Sequence, residues 1–294
     1  MTWCTVRPVR RVRRLCLALV ALVGTATGAR AQHPPAWTDT IAPFRAIANV
    51  HYVGSAGLSA WLITTPAGHI LLDVGLPANA PMVARSITRL GFRLRDVKII
   101  LNSHAHFDHS GGIAQLKRRT GARLFAMAGD RVALEQGVYA GSESNLGWRA
   151  PPVRVDSVIA DRGTVTLGGT ILTANLTAGH SAGCTTWTMP LEADGARHTA
   201  VFYCSASVAA NRLAPVPQYP GIVEDYQRTF VRLAEIDSDV FLAPHAEFFD
   251  LRGKRARLVA GASNPFIDPG ALQRLVREQA STFVAELARQ RAPR

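Results

Sequence analysis

Four side chains that can bind a metal ion fall within six residues of the sequence: His104, His106, Asp108 and His109. Imidazole nitrogens and carboxylate oxygens are the ligands that Zn²⁺ prefers, at about 2.0–2.3 Å in four-coordinate sites. In an extended backbone alternate side chains point to the same side, so the first two histidines should face one point. Asp108 and His109 should turn toward a neighbouring point. The motif therefore predicts the beginning of two adjacent metal sites.

Two further histidines follow predicted strands and complete these sites. His180 comes after the strand-like segment 171–177, and His245 comes after the buried run 240–243. Side chains at the carboxyl ends of strands commonly form the sites of α/β proteins. The remaining histidines are predicted to be surface or structural residues: His33, His51, His69 and His198.

The elements around the motif place it between a strand and a helix. The continuous apolar run 97–102 predicts a strand buried on both faces, and 113–119 has the spacing of a helix. Further strands are predicted at 50–54, 60–65, 70–73, 122–127, 164–167, 184–189 and 199–204, and helices at 77–90, 130–136, 224–236 and 271–289. Because no low-complexity linker divides the halves, we predict one α/β domain over 32–294, with two similar layers of sheet and outer helices.

The first 31 residues have the pattern of a secretory signal peptide. Five arginines between positions 7 and 14 precede the apolar run 15–23, and Ala29-Arg30-Ala31 forms a cleavage site. The apolar run is about half of the ~20 residues that span a bilayer, so a membrane anchor is the weaker interpretation. We expect export to the periplasm by the general or the twin-arginine route, with no membrane association after cleavage.

Charge gives little support for nucleic-acid binding once this segment is removed. The chain has a formal net charge of +12, and segment 1–31 carries six arginines and no acidic residue, so half of that charge leaves with it. The basic cluster 117–119 is better explained as a solvated helix face. We expect a monomer that acts on a small molecule and binds no nucleic acid.

These residues resemble the metallo-β-lactamase superfamily and, within it, the third subclass of the class B β-lactamases. The resemblance rests on the motif 104–109, on Leu-Leu-Asp-Val-Gly at 71–75, on Gly-His-Ser-Ala-Gly at 179–183, and on the stretches 202–207, 219–226 and 264–269. Ser181 and Ala182 depart from the Thr and Pro of the family motif. The resemblance implies an αβ/βα four-layer sandwich of two mixed β-sheets with outer helices.

It also implies a zinc mechanism. His104, His106 and His180 would bind the first zinc ion, and Asp108, His109 and His245 the second. A zinc-bound hydroxide would open the β-lactam ring of penicillins, cephalosporins and carbapenems, giving antibiotic resistance, because two zinc ions lower the pKa of bound water toward ~7. Asp108 would orient this water as well as bind metal.

Other residues are assigned to the substrate or to support of the ligands. The resemblance makes Ser205 and Ser207 contacts for the substrate carboxylate. Leu146 and Trp148, in a loop rich in Gly, Ser and Pro, and Trp37 near the amino end of the domain would cover the substrate's side chains. Asp73 would either fix the tautomer of a ligand histidine or cap a strand end.

Relatives with other substrates share the same motif. Thioester hydrolases such as glyoxalase II, and lactonases, usually carry an aspartate that bridges both metals, whereas the corresponding strand end here reads Cys204-Ser205. This difference, together with export, favours the β-lactamase. A metal-binding or sensing module without turnover is the second hypothesis, and a lactonase or thioesterase of the same fold is the third.

Two cysteines remain after the signal segment, Cys184 and Cys204. A hairpin between 184–190 and 198–204 would place them directly opposite each other, inside the Cα range of a disulfide. A shift of one residue would separate them, so the disulfide stays open at this point. Cys204 is not expected to bind metal, since it should face away if Ser205 faces the site.

Overall fold

This computed structural model describes residues 1–3 and 33–293. Its strands are β1 (Phe44–Ile47), β2 (Val50–Tyr52), β3 (Trp61–Thr65), β4 (Gly68–Leu72), β5 (Val97–Leu101), β6 (Arg123–Met127), β7 (Ser157–Ile159), β8 (Thr164–Leu167), β9 (Thr170–Leu176), β10 (Thr185–Ala193), β11 (Ala196–Phe202) and β12 (Val240–Leu242). Its α-helices are α1 (Ala80–Arg89), α2 (Phe107–Ser110), α3 (Ile113–Thr120), α4 (Ala128–Gln136), α5 (Ile222–Glu235), α6 (Leu251–Val259) and α7 (Ala271–Arg291). The predicted signal segment covers residues 1–31, and its residues 4–31 lie outside the described part of the chain.

The strands form two mixed sheets. The first has seven strands in the order β1 to β7, antiparallel from β1 to β4 and parallel from β4 to β7. The second has five strands in the order β12-β11-β10-β9-β8, of which only β11 and β12 are parallel. In the described chain, no helix has the length and apolarity needed to cross a membrane.

Alternating apolar residues give the first sheet two buried faces. Leu62, Leu71 and Ile100 pack with α1 and α3, whereas Trp61 and Leu72 point the other way, into the core shared with the second sheet. This alternation follows from the period of two in a strand. Burial of both faces explains why these strands read as continuous apolar runs.

Two helices cover the outer side of the second sheet. Leu233 of α5 and Leu272 and Val276 of α7 belong to the core cluster that contains this sheet. A smaller cluster, with Tyr226 and Phe283, joins α5 to α7. The order of layers is therefore helix, sheet, sheet, helix, and the predicted four-layer α/β sandwich is confirmed.

The predicted register of the β10–β11 hairpin was wrong by one residue. Pro190 pairs with Thr199 rather than with His198, because the two-residue turn Asp194-Gly195 places Ala193 opposite Ala196. Both turn residues have positive φ, at 51° and 77°. Such turns favour Asp-Gly and fix the register of a hairpin, a signal that the sequence did contain.

The disulfide nevertheless forms. The paired part of the hairpin ends at Trp187 and Phe202, so its register does not fix the positions of Cys184 and Cys204. Their Cα atoms are 5.9 Å apart and a disulfide joins them. The bond ties the segment after His180 to the strand end that carries Ser205. A thiolate of Cys204 is therefore not available to a metal ion.

We expect loss of this disulfide to destabilise the domain without changing its fold. Cross-linking residues 20 apart in sequence removes chain entropy from the unfolded state, which corresponds to about 3 kcal/mol. The double variant Cys184→Ser/Cys204→Ser should therefore unfold at lower urea concentration, by that difference in free energy. An unchanged urea midpoint would show that the cross-link does not stabilise the domain.

Candidate metal centre

The loop that follows β5 carries four of the six predicted ligands. His104 and His106 lie in its extended part, and the chain then enters α2, whose first turn carries Asp108 and His109. Backbone N–H groups of His109 and Ser110 donate to the carbonyl of His106 and hold this turn. The change from extended to helical backbone separates the ligands into two groups, as the motif predicted.

The first group consists of His104, His106 and His180, with one ring nitrogen from each lying within 4.8 Å of the others. Burial lowers the pKa of all three imidazoles, to about 4 for His180. Neutral imidazole is the form that binds a metal ion. This set of three nitrogens is typical of a zinc site.

Hydrogen bonds fix the orientation of two rings in this group. His180 Nδ1 lies 2.8 Å from the carbonyl oxygen of Ser207. Because a carbonyl only accepts, the proton of His180 must be on Nδ1, which leaves Nε2 with a free lone pair. His104 Nδ1 lies 3.0 Å from Ser103 Oγ, while its Nε2 is buried and has no hydrogen-bond partner among the described residues.

The second group consists of Asp108, His109 and His245, whose ligand atoms also lie within 4.8 Å of one another. The Nε2 atoms of the two histidines are 3.1 Å apart and lie 3.2 and 3.4 Å from Asp108 Oδ2. Burial alone would raise the pKa of Asp108, but the charge of His109 and hydrogen bonds from both histidines hold it well below its usual value. An ionised carboxylate and two imidazoles facing one point suit a divalent cation.

Asp73 holds the start of the ligand loop that follows β5. Its Oδ1 accepts hydrogen bonds from Asn102 Nδ2 at 3.0 Å and from the backbone N–H of Ser103 at 2.8 Å. These contacts correspond to the strand-end cap, one of the two roles expected for this residue. Its Oδ2 has no hydrogen-bond partner within the described part of the chain. Burial alone would lower the pKa of His109, but the charge and hydrogen bond of Asp108 and, to a smaller extent, the charge of Asp73 raise it.

A cavity of about 330 Å³ opens above the two groups of ligands. Trp37, Trp148 and Ser207 line it, as does Tyr139, whose ring lies 4.2 Å from that of His106. Leu146 projects into solvent and is 75% exposed. Three of the five residues that the sequence assigned to the substrate, Trp37, Trp148 and Ser207, therefore line this cavity.

Ser205 lies behind Ser207 and is 2% exposed. Its Oγ is 3.0 Å from Ser207 Oγ and accepts a hydrogen bond from the Ser207 backbone at 3.2 Å. The sequence suggested that both serines touch the substrate. In the structure, Ser205 contacts Ser207, which borders the cavity.

Sequence reasoning missed three residues around the ligands. His33, predicted to be a surface or structural histidine, lines the cavity and stacks on Trp37. Tyr139 also lines it, and the buried Asp130 binds the loops of the first group. A lone polar or aromatic residue in a loop has no spacing that would reveal such a contact.

Comparisons with known proteins agree with this geometry. A family model described as the metallo-β-lactamase superfamily matches residues 57–192. The solved structure of BJP-1, a subclass B3 metallo-β-lactamase of Bradyrhizobium japonicum, is 42% identical with a TM-score of 0.85, over 87% of this chain and 97% of that one. FEZ-1, a metallo-β-lactamase from Legionella gormanii, is 39% identical with a TM-score of 0.85, over 87% and 99% of the two chains.

Matches among curated proteins are shorter. A hydroxyacylglutathione hydrolase of Methylobacterium nodulans is 34% identical over 123 residues, which are 41% of this chain and 39% of that protein. The chain thus spans less than half the length of the curated relatives that it matches. The relatives found by the two comparisons are thus named for different activities.

Proposed function

Because the chain belongs to the metallo-β-lactamase superfamily, we propose that it binds two zinc ions and hydrolyses the amide bond of β-lactam rings. The observation that carries this proposal is that two groups of ligands lie beneath one cavity. One group has three histidines, and the other has Asp108 and two histidines. The similarity to subclass B3 enzymes over nearly their whole length supports the choice of substrate. We also propose that the protein is a monomer, that it acts in the periplasm, and that its activity gives antibiotic resistance.

The residues fit zinc. His104, His106 and His180 would hold one ion, and Asp108, His109 and His245 the other. Buried ligand atoms such as His104 Nε2 have no hydrogen-bond partner among the described residues, and a bound cation would satisfy them. When bound, zinc supplies a Lewis acid and a nucleophile derived from water at neutral pH, without a side-chain base.

The side chains around the cavity then bind and orient the substrate. Ser207 Oγ borders the cavity 3.4 Å from His180 Nδ1, so it can donate to the substrate's ring carboxylate. The rings of Phe107 and Trp148 are stacked 6.4 Å apart and form an apolar wall with Trp37. This wall excludes water and receives apolar substituents of the substrate.

Asp108 acts as an ionised carboxylate. Since its pKa is held well below the usual value, Oδ2 carries no proton at neutral pH. It can therefore bind a cation and accept a hydrogen bond from the attacking water. The negative charge strengthens both functions beyond what the shape of the side chain provides.

A substrate comparison tests the proposed activity against its alternative, a thioester hydrolase or lactonase. The curated relatives named hydroxyacylglutathione hydrolases support the thioester part of this alternative. Purified protein beginning at residue 32 is assayed with a cephalosporin, a glutathione thioester and an acyl-homoserine lactone. We expect kcat/KM to be roughly 10²-fold higher for the cephalosporin, because the pocket must stabilise one transition state preferentially. Faster hydrolysis of the thioester or the lactone would contradict the β-lactam assignment.

Replacing Ser207 by alanine should weaken substrate binding more than turnover. A hydrogen bond to a charged group contributes about 1.5–3 kcal/mol, so we expect KM for a cephalosporin to rise about tenfold, with kcat within about twofold of the wild-type value. Ser281→Ala, on the exposed side of α7, is the matched control. If Ser207→Ala leaves KM unchanged, the hydroxyl does not bind the carboxylate.

A further inference from the structure

Asp130 lies near the amino end of α4 and is buried, with 3% of its surface exposed. Its carboxylate accepts three hydrogen bonds from other parts of the chain. The donors are the backbone N–H of Ala105 at 2.9 Å, Ser181 Oγ at 2.8 Å and the backbone N–H of Gly183 at 2.9 Å. A single side chain thus joins two loops that are far apart in sequence.

These two loops carry the first group of ligands. Ala105 stands between His104 and His106, and Ser181 directly follows His180. Two of the three donors to Asp130, Ala105 and Ser181, therefore adjoin all three members of that group. The carboxylate makes no such hydrogen bond beside Asp108 or His245 within the described chain.

The backbones around this carboxylate are packed too closely to move independently. A Cβ atom added at Gly129 would lie 2.3 Å from the carbonyl oxygen of Ala182. One added at Gly183 would lie 2.4 Å from the backbone nitrogen of Asp130. Helix α4 and the His180 loop therefore form a rigid contact, and the carboxylate extends that contact to Ala105.

We propose that Asp130 is the positioning residue of the first metal site, holding His104 and His106 at a fixed distance from His180. The inference rests on the proposed metal binding but not on the β-lactam substrate. Fixing three ligands before the metal arrives lowers the ordering cost of binding, so the effect should appear as metal affinity. In the described chain the carboxylate's hydrogen bonds go to Ala105, Ser181 and Gly183, and none goes to the turn that carries Asp108 and His109, so the second site should be affected little.

The charge state of Asp130 argues that it does more than stabilise the fold. Burial raises its pKa to about 6, although the hydrogen bonds from Ser181, Gly183 and Ala105 oppose this shift. A folded-state pKa above the unfolded value means that the ionised group costs stability at neutral pH, and that this cost disappears as pH falls through the two values. An ionised carboxylate here costs folding free energy but satisfies three donors beside the ligands.

The test measures zinc affinity at each site separately, with a chromogenic chelator as competitor and no β-lactam present. His245→Ala disables the second site and reports on the first, whereas His106→Ala reports on the second. Adding Asp130→Asn to His245→Ala should raise the zinc Kd of the first site about 10- to 100-fold. Adding it to His106→Ala should raise the zinc Kd of the second site less than about threefold. Equal weakening in both backgrounds, or no change in the first, would overturn the proposal.

A milder pair of variants keeps the proposal testable if Asp130→Asn does not fold. Ser181→Ala removes one donor to the carboxylate, whereas Ser181→Thr keeps a hydroxyl and serves as the matched control. In the His245→Ala background, we expect Ser181→Ala to raise the zinc Kd about fivefold and Ser181→Thr to leave it unchanged. Equal values for the two variants would contradict the positioning role. Failure to hydrolyse β-lactams would refute the proposed substrate but would not affect this measurement.

Discussion

Replacing His180 by alanine should lower kcat/KM for a cephalosporin by ~10³-fold, because the first metal site loses one of three nitrogen ligands and metal-ion catalysis is worth several kcal/mol. His180 is held by its hydrogen bond to the carbonyl of Ser207, and no neighbouring side chain in the described chain is placed to substitute for its Nε2. Zinc content should fall from two equivalents to about one. Steady-state kinetics and metal analysis on the same preparation measure both effects.

His198→Ala is the matched control for this variant. His198 lies in β11 and pairs with Asp239, outside both ligand groups. The control should retain its zinc and its activity to within about twofold, since substitutions away from the special features of a site usually have small effects. If His180→Ala keeps two zinc ions and wild-type kinetics, the first site is assigned incorrectly.

Asp108→Asn should have the second largest effect. The substitution keeps the shape of the side chain but removes the negative charge, so the second site loses its only anionic ligand. We expect zinc affinity of that site to fall at least about 100-fold and kcat to fall by a similar factor, since a neutral amide neither balances the cation nor orients water as a carboxylate does. Isothermal titration with zinc and single-turnover kinetics separate binding from chemistry.

Asp156→Asn controls for the loss of a carboxylate. Asp156 forms a partly exposed ion pair with Lys117, and exposed pairs contribute about 0–1 kcal/mol. It also accepts a hydrogen bond from the Leu124 backbone, which the side-chain oxygen of asparagine can still accept. The control should therefore bind zinc and turn over substrate as the wild type does. If the Asp108→Asn enzyme were fully active with two zinc ions bound, the charge at this position would not be needed.

Local sequence signals were enough to predict the ligands and the layers. The apolar run before His104 became β5, and the segment after the motif became α3, because buried strands and amphipathic helices are marked by spacing within a few residues. The six expected ligands come together because their loops all follow strand ends. The pattern also predicted two layers of sheet with outer helices, whereas the mixed character of both sheets was implied by the resemblance to the superfamily.

Elements without such spacing were not predicted. Helix α6 buries only Leu251 and Lys254 and contains Gly253, so it has no apolar stripe to reveal it. Strands β1 and β7 have only four and three residues, one of them exposed in each. Short edge strands of this kind depend on the sheet they join more than on their own pattern.

Contacts between distant residues were also missed. Asp130 binds Ala105 and Gly183 across 25 and 53 positions of sequence, and no motif marks an isolated carboxylate as their partner. The disulfide was left open because the prediction tied it to an exact hairpin register, whereas Cys184 and Cys204 meet beyond the paired residues of the hairpin. Support for a site comes from tertiary packing, whereas its ligands are marked by local spacing.

The most direct test is hydrolysis of a carbapenem and a chromogenic cephalosporin by the purified chain from residue 32, before and after removal of metal. We expect turnover of both substrates, its loss after dialysis against a chelator, and its return when two equivalents of zinc are added, with half or less of the activity at one equivalent. Absence of turnover by a folded protein with two zinc ions bound would contradict the β-lactamase assignment. Turnover that persists in the metal-free protein would contradict the zinc mechanism.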